Sequence, residues 1–114
     1  MPISSDVRAT AATLLEQFCL EHSAPEGTDQ PRYTYKFDSN AAILIEQRPA
    51  FVSAGVWASK EIAKFRYSEA RNTWTLYWRD SSDKWHRVSN VEAEKDLGRL
   101  LQVVVSDPIG VFWS

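Results

Sequence analysis

A chain of 114 residues, 44% hydrophobic and 25% charged, has the make-up of one globular domain over 1–114, with length for a single core and too little for two. A lone cysteine excludes a disulfide framework, and no run approaches the roughly 20 apolar residues of a bilayer-spanning helix. The start, MPISSDVR, lacks the apolar core of a signal peptide, so a cytoplasmic protein without a membrane partner is expected, and a net charge of −2 disfavours general nucleic-acid binding.

From Ser5 to about His22, Val7, Ala11, Leu14, Leu15, Phe18 and Cys19 recur at spacings of three and four, which predicts an amphipathic helix. Ser4 or Ser5 can cap it, and Asp6 suits its dipole. Cys19 falls on the apolar stripe and reads as a small core hydrophobe, while His22 reads as a surface residue at the helix end. Ser23–Pro31, SAPEGTDQP, has no apolar period and reads as an exposed connection.

Arg32–Asp38 alternates, with Tyr33, Tyr35 and Phe37 on one face. A second strand follows from Ala42 to Arg48, and a three-residue turn would set Phe37 opposite Ile43 and Tyr35 opposite Ile45. Pro49–Ser59, PAFVSAGVWAS, is an apolar loop that either closes the core or covers a pocket as a flap.

The centre of the chain is Trp57–Val88, which holds four of the five tryptophans. Ala63, Phe65 and Tyr67, then Trp74, Leu76 and Trp78, fall on alternate positions and predict a hairpin with one apolar face. Tyr67 should meet Trp74, Phe65 meet Leu76 and Ala63 meet Trp78, because a slip of one residue would break that face. Ile62, Lys64, Arg66, Thr73, Thr75, Tyr77 and Arg79 take the other side. Asn72 closes the turn, where a left-handed conformation is tolerated.

After Asp80–Asp83 a strand over Lys84–Val88 has two readings. An even-numbered turn sends Trp85 to the core, and an odd-numbered one sends His86 and Val88 there. Ser89-Asn90-Val91-Glu92 has the spacing of a capping box and predicts the start of a second helix, with Leu97, Leu100, Leu101 and Val104 as its stripe and Gly98 marking close packing. Asp107-Pro108-Ile109-Gly110 ends it, and the terminal Phe112 and Trp113 are expected to dock. The order predicts an α+β fold: an N-terminal helix, a five-stranded antiparallel meander, a C-terminal helix packed on one sheet face, and a docked aromatic tail.

The combination Ile62-Ala63-Lys64-Phe65-Arg66-Tyr67, Trp74-Thr75-Leu76-Tyr77-Trp78, Lys84-Trp85-His86, Asp107-Pro108 and a closing Phe112-Trp113 resembles a group of small bacterial proteins classed as domain of unknown function 3024. The likeness covers about the last two thirds of the chain, with an aromatic more usual at Val88 and a glycine at Ser114. The resemblance implies a bacterial single-domain protein and carries over no catalytic residue.

The chemistry-bearing residues are sparse. The histidines stand 64 positions apart, the glycines are scattered, and no metal, cofactor or phosphate-loop spacing is present. His86 with Asp80 or Asp83 is the one candidate base and orienter. Charge is uneven, however: Arg32–Val88 holds ten Lys/Arg against six Asp/Glu, whereas the flanking segments hold three against nine. Lys64, Arg66, Tyr77 and Arg79, with Lys36, and with Trp85 and Arg87 under the odd-numbered turn, would then form a basic aromatic sheet face. That favours a non-enzymatic binding module for a protein or anionic partner, with nucleic acid kept open against the net charge and self-association compatible. The alternative is a small-molecule or enzyme site in the concave sheet under Phe51–Trp57, lined by Tyr33, Tyr35, Trp57 and Trp78.

Overall fold

The computed structural model describes residues 3–22, 32–49, 57–88 and 91–107. The elements run α1 (Ser5–His22), β1 (Arg32–Asp38), β2 (Ala41–Pro49), β3 (Trp57–Ser68), β4 (Thr73–Arg79), β5 (Trp85–Arg87) and α2 (Leu97–Ser106). The five strands form one antiparallel sheet in the order β1-β2-β3-β4-β5. The fold is therefore α+β, with both helices feeding one core cluster against a single sheet face.

Helix α1 begins where the Ser4 carbonyl accepts the Arg8 amide at 2.9 Å. Ala11, Leu15, Phe18 and Cys19 are buried at spacings of four, three and one, the pattern of a helix laid on an apolar floor. Two polar contacts fix it to β1: the Tyr35 hydroxyl donates to Glu16 Oε1 at 2.8 Å, and the Arg8 guanidinium lies 4.7 Å from the Phe37 ring centroid. His22 is exposed and rests its ring on Phe18, with centroids 4.3 Å apart. Burial, with the Glu16 carboxylate nearby, pushes the Cys19 thiol up to about 11.

The register of the first hairpin differs from the expected one. The turn is the two-residue Ser39-Asn40, with Ser39 at φ 55°, so that Phe37 pairs with Ala42, Tyr35 with Leu44 and Tyr33 with Glu46. Ala41–Ile45 is apolar on both parities, so alternation alone cannot choose a register and the turn decides it. Ala42 and Leu44 enter the core, while Ile43 and Ile45 face the opposite side. Asn40 then joins this turn to β3, its carbonyl accepting the Tyr67 amide at 2.8 Å.

Strand β3 reaches back to Trp57, so Ala58 and Ser59, expected in the loop, pair with Arg48 and Gln47. Its register shifts opposite Leu44/Ile45, leaving Ile62 as the extra residue of a bulge. Ile62 was expected on the outer face; the bulge turns it into the core, where it is 3% exposed. The central hairpin otherwise pairs as expected, Tyr67 with Trp74, Phe65 with Leu76 and Ala63 with Trp78. Asn72 takes a φ of 54°, and its side chain accepts the Tyr67 hydroxyl.

The loop into β5 has five residues, Asp80–Lys84, which selects the odd-numbered reading. Val88 is buried beside Leu76, and Trp85 falls on the outer face. His86, expected in the core under that reading, instead pairs with Trp78 at the edge of the sheet and stays exposed, its ring on Trp78 and its Nε2 on Asp80. The second helix starts later than expected. Glu94 instead exchanges both backbone bonds with Trp74, at 2.7 and 2.9 Å, satisfying peptide groups that the short β5 leaves at the edge of β4. The cap is Asp96, whose carboxylate accepts the Gly98 amide at 2.9 Å. A Cβ at Gly98 would come 3.1 Å from that carboxylate, so the close packing at this glycine is with the cap. Leu97, Leu100, Leu101 and Val104 are buried as expected, and Asp107 ends the helix at φ 43°.

The segment 23–31, the loop 50–56, Ser89, Asn90 and the tail 108–114 lie outside the described residues, as do the side chains of Pro49 and Trp57. Among the described residues, no helix is long and apolar enough to cross a membrane.

Phe65 is fully buried at the centre of the sheet, so Phe65→Ala should lower stability by about 3–5 kcal/mol in urea unfolding, whereas Thr75→Ala on the opposite face should change it by about 0.5 kcal/mol or less. The Cys19 thiol should resist a disulfide reagent at pH 8 in the native protein and react at once after denaturation.

Candidate functional site

The outer sheet face is a lattice set by the register. One cross-strand row runs Lys36, Ile43, Lys64, Tyr77, Arg87, and a second runs Asp38, Ala41, Arg66, Thr75. A third carries Thr34, Ile45 and Glu61, continued by Arg79 and Trp85. All six residues expected to form a binding face, Lys64, Arg66, Tyr77, Arg79, Trp85 and Arg87, do share one side of the sheet.

Their charges are not equivalent. Glu61, brought to this side by the bulge at Ile62, holds Lys36 Nζ at 2.8 Å and Arg79 Nη1 at 3.1 Å. Arg79 also reaches Asp83 at 3.4 Å. The Glu61 hydrogen bond and charge raise Lys36 above the usual lysine range. Lys64, Arg66 and Arg87, by contrast, have no carboxylate partner among the described residues. The face thus divides into a neutralised half around Glu61 and a cationic half around Tyr77.

The two outer-face aromatics differ in the same way. Lys64 Nζ and Arg79 Cζ each lie 5.8 Å from the Trp85 ring centroid, so two cations already engage that indole. Tyr77 is half-buried, and among the described residues its ring has neither an aromatic nor a cationic partner. Beside it, at the β3–β4 turn, is a surface cavity of about 530 Å³ lined by Asn40, Arg66, Ser68, Glu69, Thr75 and Tyr77, together with Tyr67 and Ala70.

The four residues expected to line a concave pocket lie apart. Tyr33 and Tyr35 pack against the core from β1, with Leu44 and Ala63 between Tyr35 and Trp78 in their row. At roughly 4.8 Å per strand that separation is about 14 Å. The Tyr35 hydroxyl is bound to Glu16, and burial, followed by that hydrogen bond and charge, raises it to about 12. The Tyr33 hydroxyl donates to Glu46 Oε2 at 3.2 Å and is raised by burial and by that carboxylate. Glu46 is only 6% exposed and is balanced by Arg48, at 2.6 and 3.3 Å. The Trp57 side chain and the Phe51–Val56 loop lie outside the described residues.

His86 takes Asp80 rather than Asp83 as its partner, Nε2 to Oδ2 at 2.6 Å, and its ring stacks on Trp78 at 4.9 Å between centroids. The same carboxylate accepts the Ser82 and Lys84 amides at 2.8 and 3.0 Å, so the pair also ties the β4–β5 loop. His86 is exposed, and Asp83 is engaged with Arg79 instead. Sequence reasoning missed Glu61 as the charge that neutralises half the outer face. The available signal was Ile62-Ala63, two adjacent apolar residues inside an alternating strand, which marks a bulge and reverses the facing of Glu61.

The His86 bond and the two loop amides hold the Asp80 carboxyl below the usual carboxylate range. A depressed carboxylate adds stability above its unfolded pKa, about 3.9, and loses it as pH falls through the folded value. The Asp80 carboxyl carbon should therefore titrate below about 3.9 in an NMR pH series, and His86→Ala should move its midpoint upward.

No curated protein and no solved structure matches this chain. A family match covers residues 3–114, nearly the whole sequence and more than the central hairpin and tail that carry the resemblance. The chain belongs to the family described as Domain of unknown function (DUF3024).

Proposed function

We propose that this protein is a non-enzymatic binding module that holds an anionic partner on the outer face of its sheet, through Lys64, Arg66 and Arg87 around Tyr77. The observation that carries this reading is the division of the face. Where Lys36 and Arg79 have carboxylates within 4 Å, the three cations nearest Tyr77 have none among the described residues. Cations without a carboxylate partner remain available to an incoming anion, Lys64 included although it lies over the Trp85 ring, and their cost to a folded sheet is low in water.

Arg79 and Trp85 take a supporting role in this reading. Arg79 is held by Glu61 and Asp83, and Trp85 by Lys64 and Arg79, so they set the position of the working residues rather than meet the partner first. The alternative of a site under the Phe51–Trp57 loop has less support, because the tyrosines expected to line it already spend their hydroxyls on Glu16 and Glu46.

Titration of the ¹⁵N-labelled protein with a heparin oligosaccharide at low salt should shift the amides of 64–66, 75–77 and 87. Replacing Lys64, Arg66 and Arg87 together with alanine should weaken that binding by roughly tenfold or more, at several tenths of a kcal/mol per exposed contact. Lys95→Ala with Arg99→Ala, on the helical side, should leave it unchanged. Shifts confined to α1 and α2, or an unchanged affinity in the triple variant, would remove the outer face from consideration.

A further inference from the structure

Tyr77 narrows the chemistry of the anion. Lys64 on β3 and Arg87 on β5 are its direct cross-strand neighbours, Arg66 lies diagonal to it beside Thr75, and its own ring is unpartnered among the described residues. A site for a bare anion has no use for an aromatic at its centre, and the adjoining cavity of about 530 Å³ is far larger than a phosphate. It falls within the roughly 300–1,000 Å³ of small-ligand sites. An aromatic face flanked by cations is the arrangement that stacks a base and neutralises its phosphate.

We propose that this cavity holds one nucleotide unit, its base on the Tyr77 ring and its phosphate at the Arg66 guanidinium, with Lys64 and Arg87 placed for neighbouring phosphates. The assignment rests on the outer-face reading above and names its ligand. Glu69 on the cavity rim decides between this ligand and an acidic peptide. A carboxylate there repels either anion, but it accepts a hydrogen bond from an exocyclic base amine such as cytosine N4, a donor that acidic side chains lack. Ser68, Thr75 and Asn40 supply further polar groups, Asn40 with its amide nitrogen turned to the Tyr67 carbonyl at 3.4 Å. The acidic surplus outside Arg32–Val88 accounts for the net charge of −2, and among the described residues none of it lines the cavity.

The test uses the full chain and fluorescence anisotropy with labelled hexadeoxycytidylate, an abasic sugar–phosphate hexamer, hexaglutamate, and unlabelled CMP as competitor. Hexadeoxycytidylate should bind about five- to a hundredfold tighter than the abasic hexamer, the range expected for one stacked base. Tyr77→Ala should bring it to the abasic level, and Tyr77→Phe, which keeps the ring, should not. Its affinity should fall with salt at a log–log slope of about −2, as for three contacts at roughly −0.7 each. Competition by CMP at the same site assigns a free nucleotide, and binding of the hexamer without such competition assigns a single strand; either outcome supports the site. Equal binding of the abasic hexamer, or of hexaglutamate, overturns the nucleotide and leaves the anion-binding face standing. Failure of every probe, heparin included, overturns both.

Discussion

Facing along β3 is the constraint on which the rest of this molecule depends. Between Ala63 and Tyr67 the strand obeys strict alternation, Phe65 at its centre inward and Lys64 and Arg66 outward. One residue earlier the rule is broken by the bulge, which buries Ile62 and brings Glu61 to the side of Lys36 and Arg79. A single inserted position therefore enlarges the core and sets the electrostatics of the opposite face. Without it Glu61 would point toward the core, and Lys36 and Arg79 would lose their shared carboxylate.

The sheet treats its charges in two ways, according to burial. Glu46, on the core side, is nearly inaccessible and is bonded by Arg48 and by the Tyr33 hydroxyl, as an ionised group must be when water is withheld. On the open side Lys64 and Arg87 stand two strands apart with only Tyr77 between them. At about 9.6 Å their repulsion in water is roughly 0.4 kcal/mol, small enough for the fold to carry without a counter-charge. Surface cations with no carboxylate partner among the described residues are thus cheap for the folded state.

The elements with one apolar parity were legible in the letters. Helix α1 has the bounds its spacing predicts, and the Tyr67–Trp74, Phe65–Leu76 and Ala63–Trp78 pairs follow from alternation alone. Where a segment is apolar on both parities the letters are silent: Ala41–Ile45 reads equally well in two registers, and the turn at Ser39-Asn40 chose the one that buries Leu44. The ambiguity at Trp85 was of the same kind and was settled by loop length. Helix α2 was placed too early because a capping-box spacing is local, whereas the demand of Trp74 for backbone partners is a tertiary one that only the assembled sheet exposes. That Lys64, Arg66, Tyr77, Arg79, Trp85 and Arg87 share one side of the sheet was readable, and the division of that side by Glu61 was not.

The exchange of two hydrogen bonds between Glu94 and Trp74 bears on self-protection. Strand β5 has three residues, shorter than the seven of β4 which it flanks, and a stretch of main chain left bare beside it would invite a strand from another molecule. By doubling back across that gap before entering α2, the polypeptide occupies the vacancy itself, so the stretch of β4 at Trp74 is not left as a template for a strand from another copy.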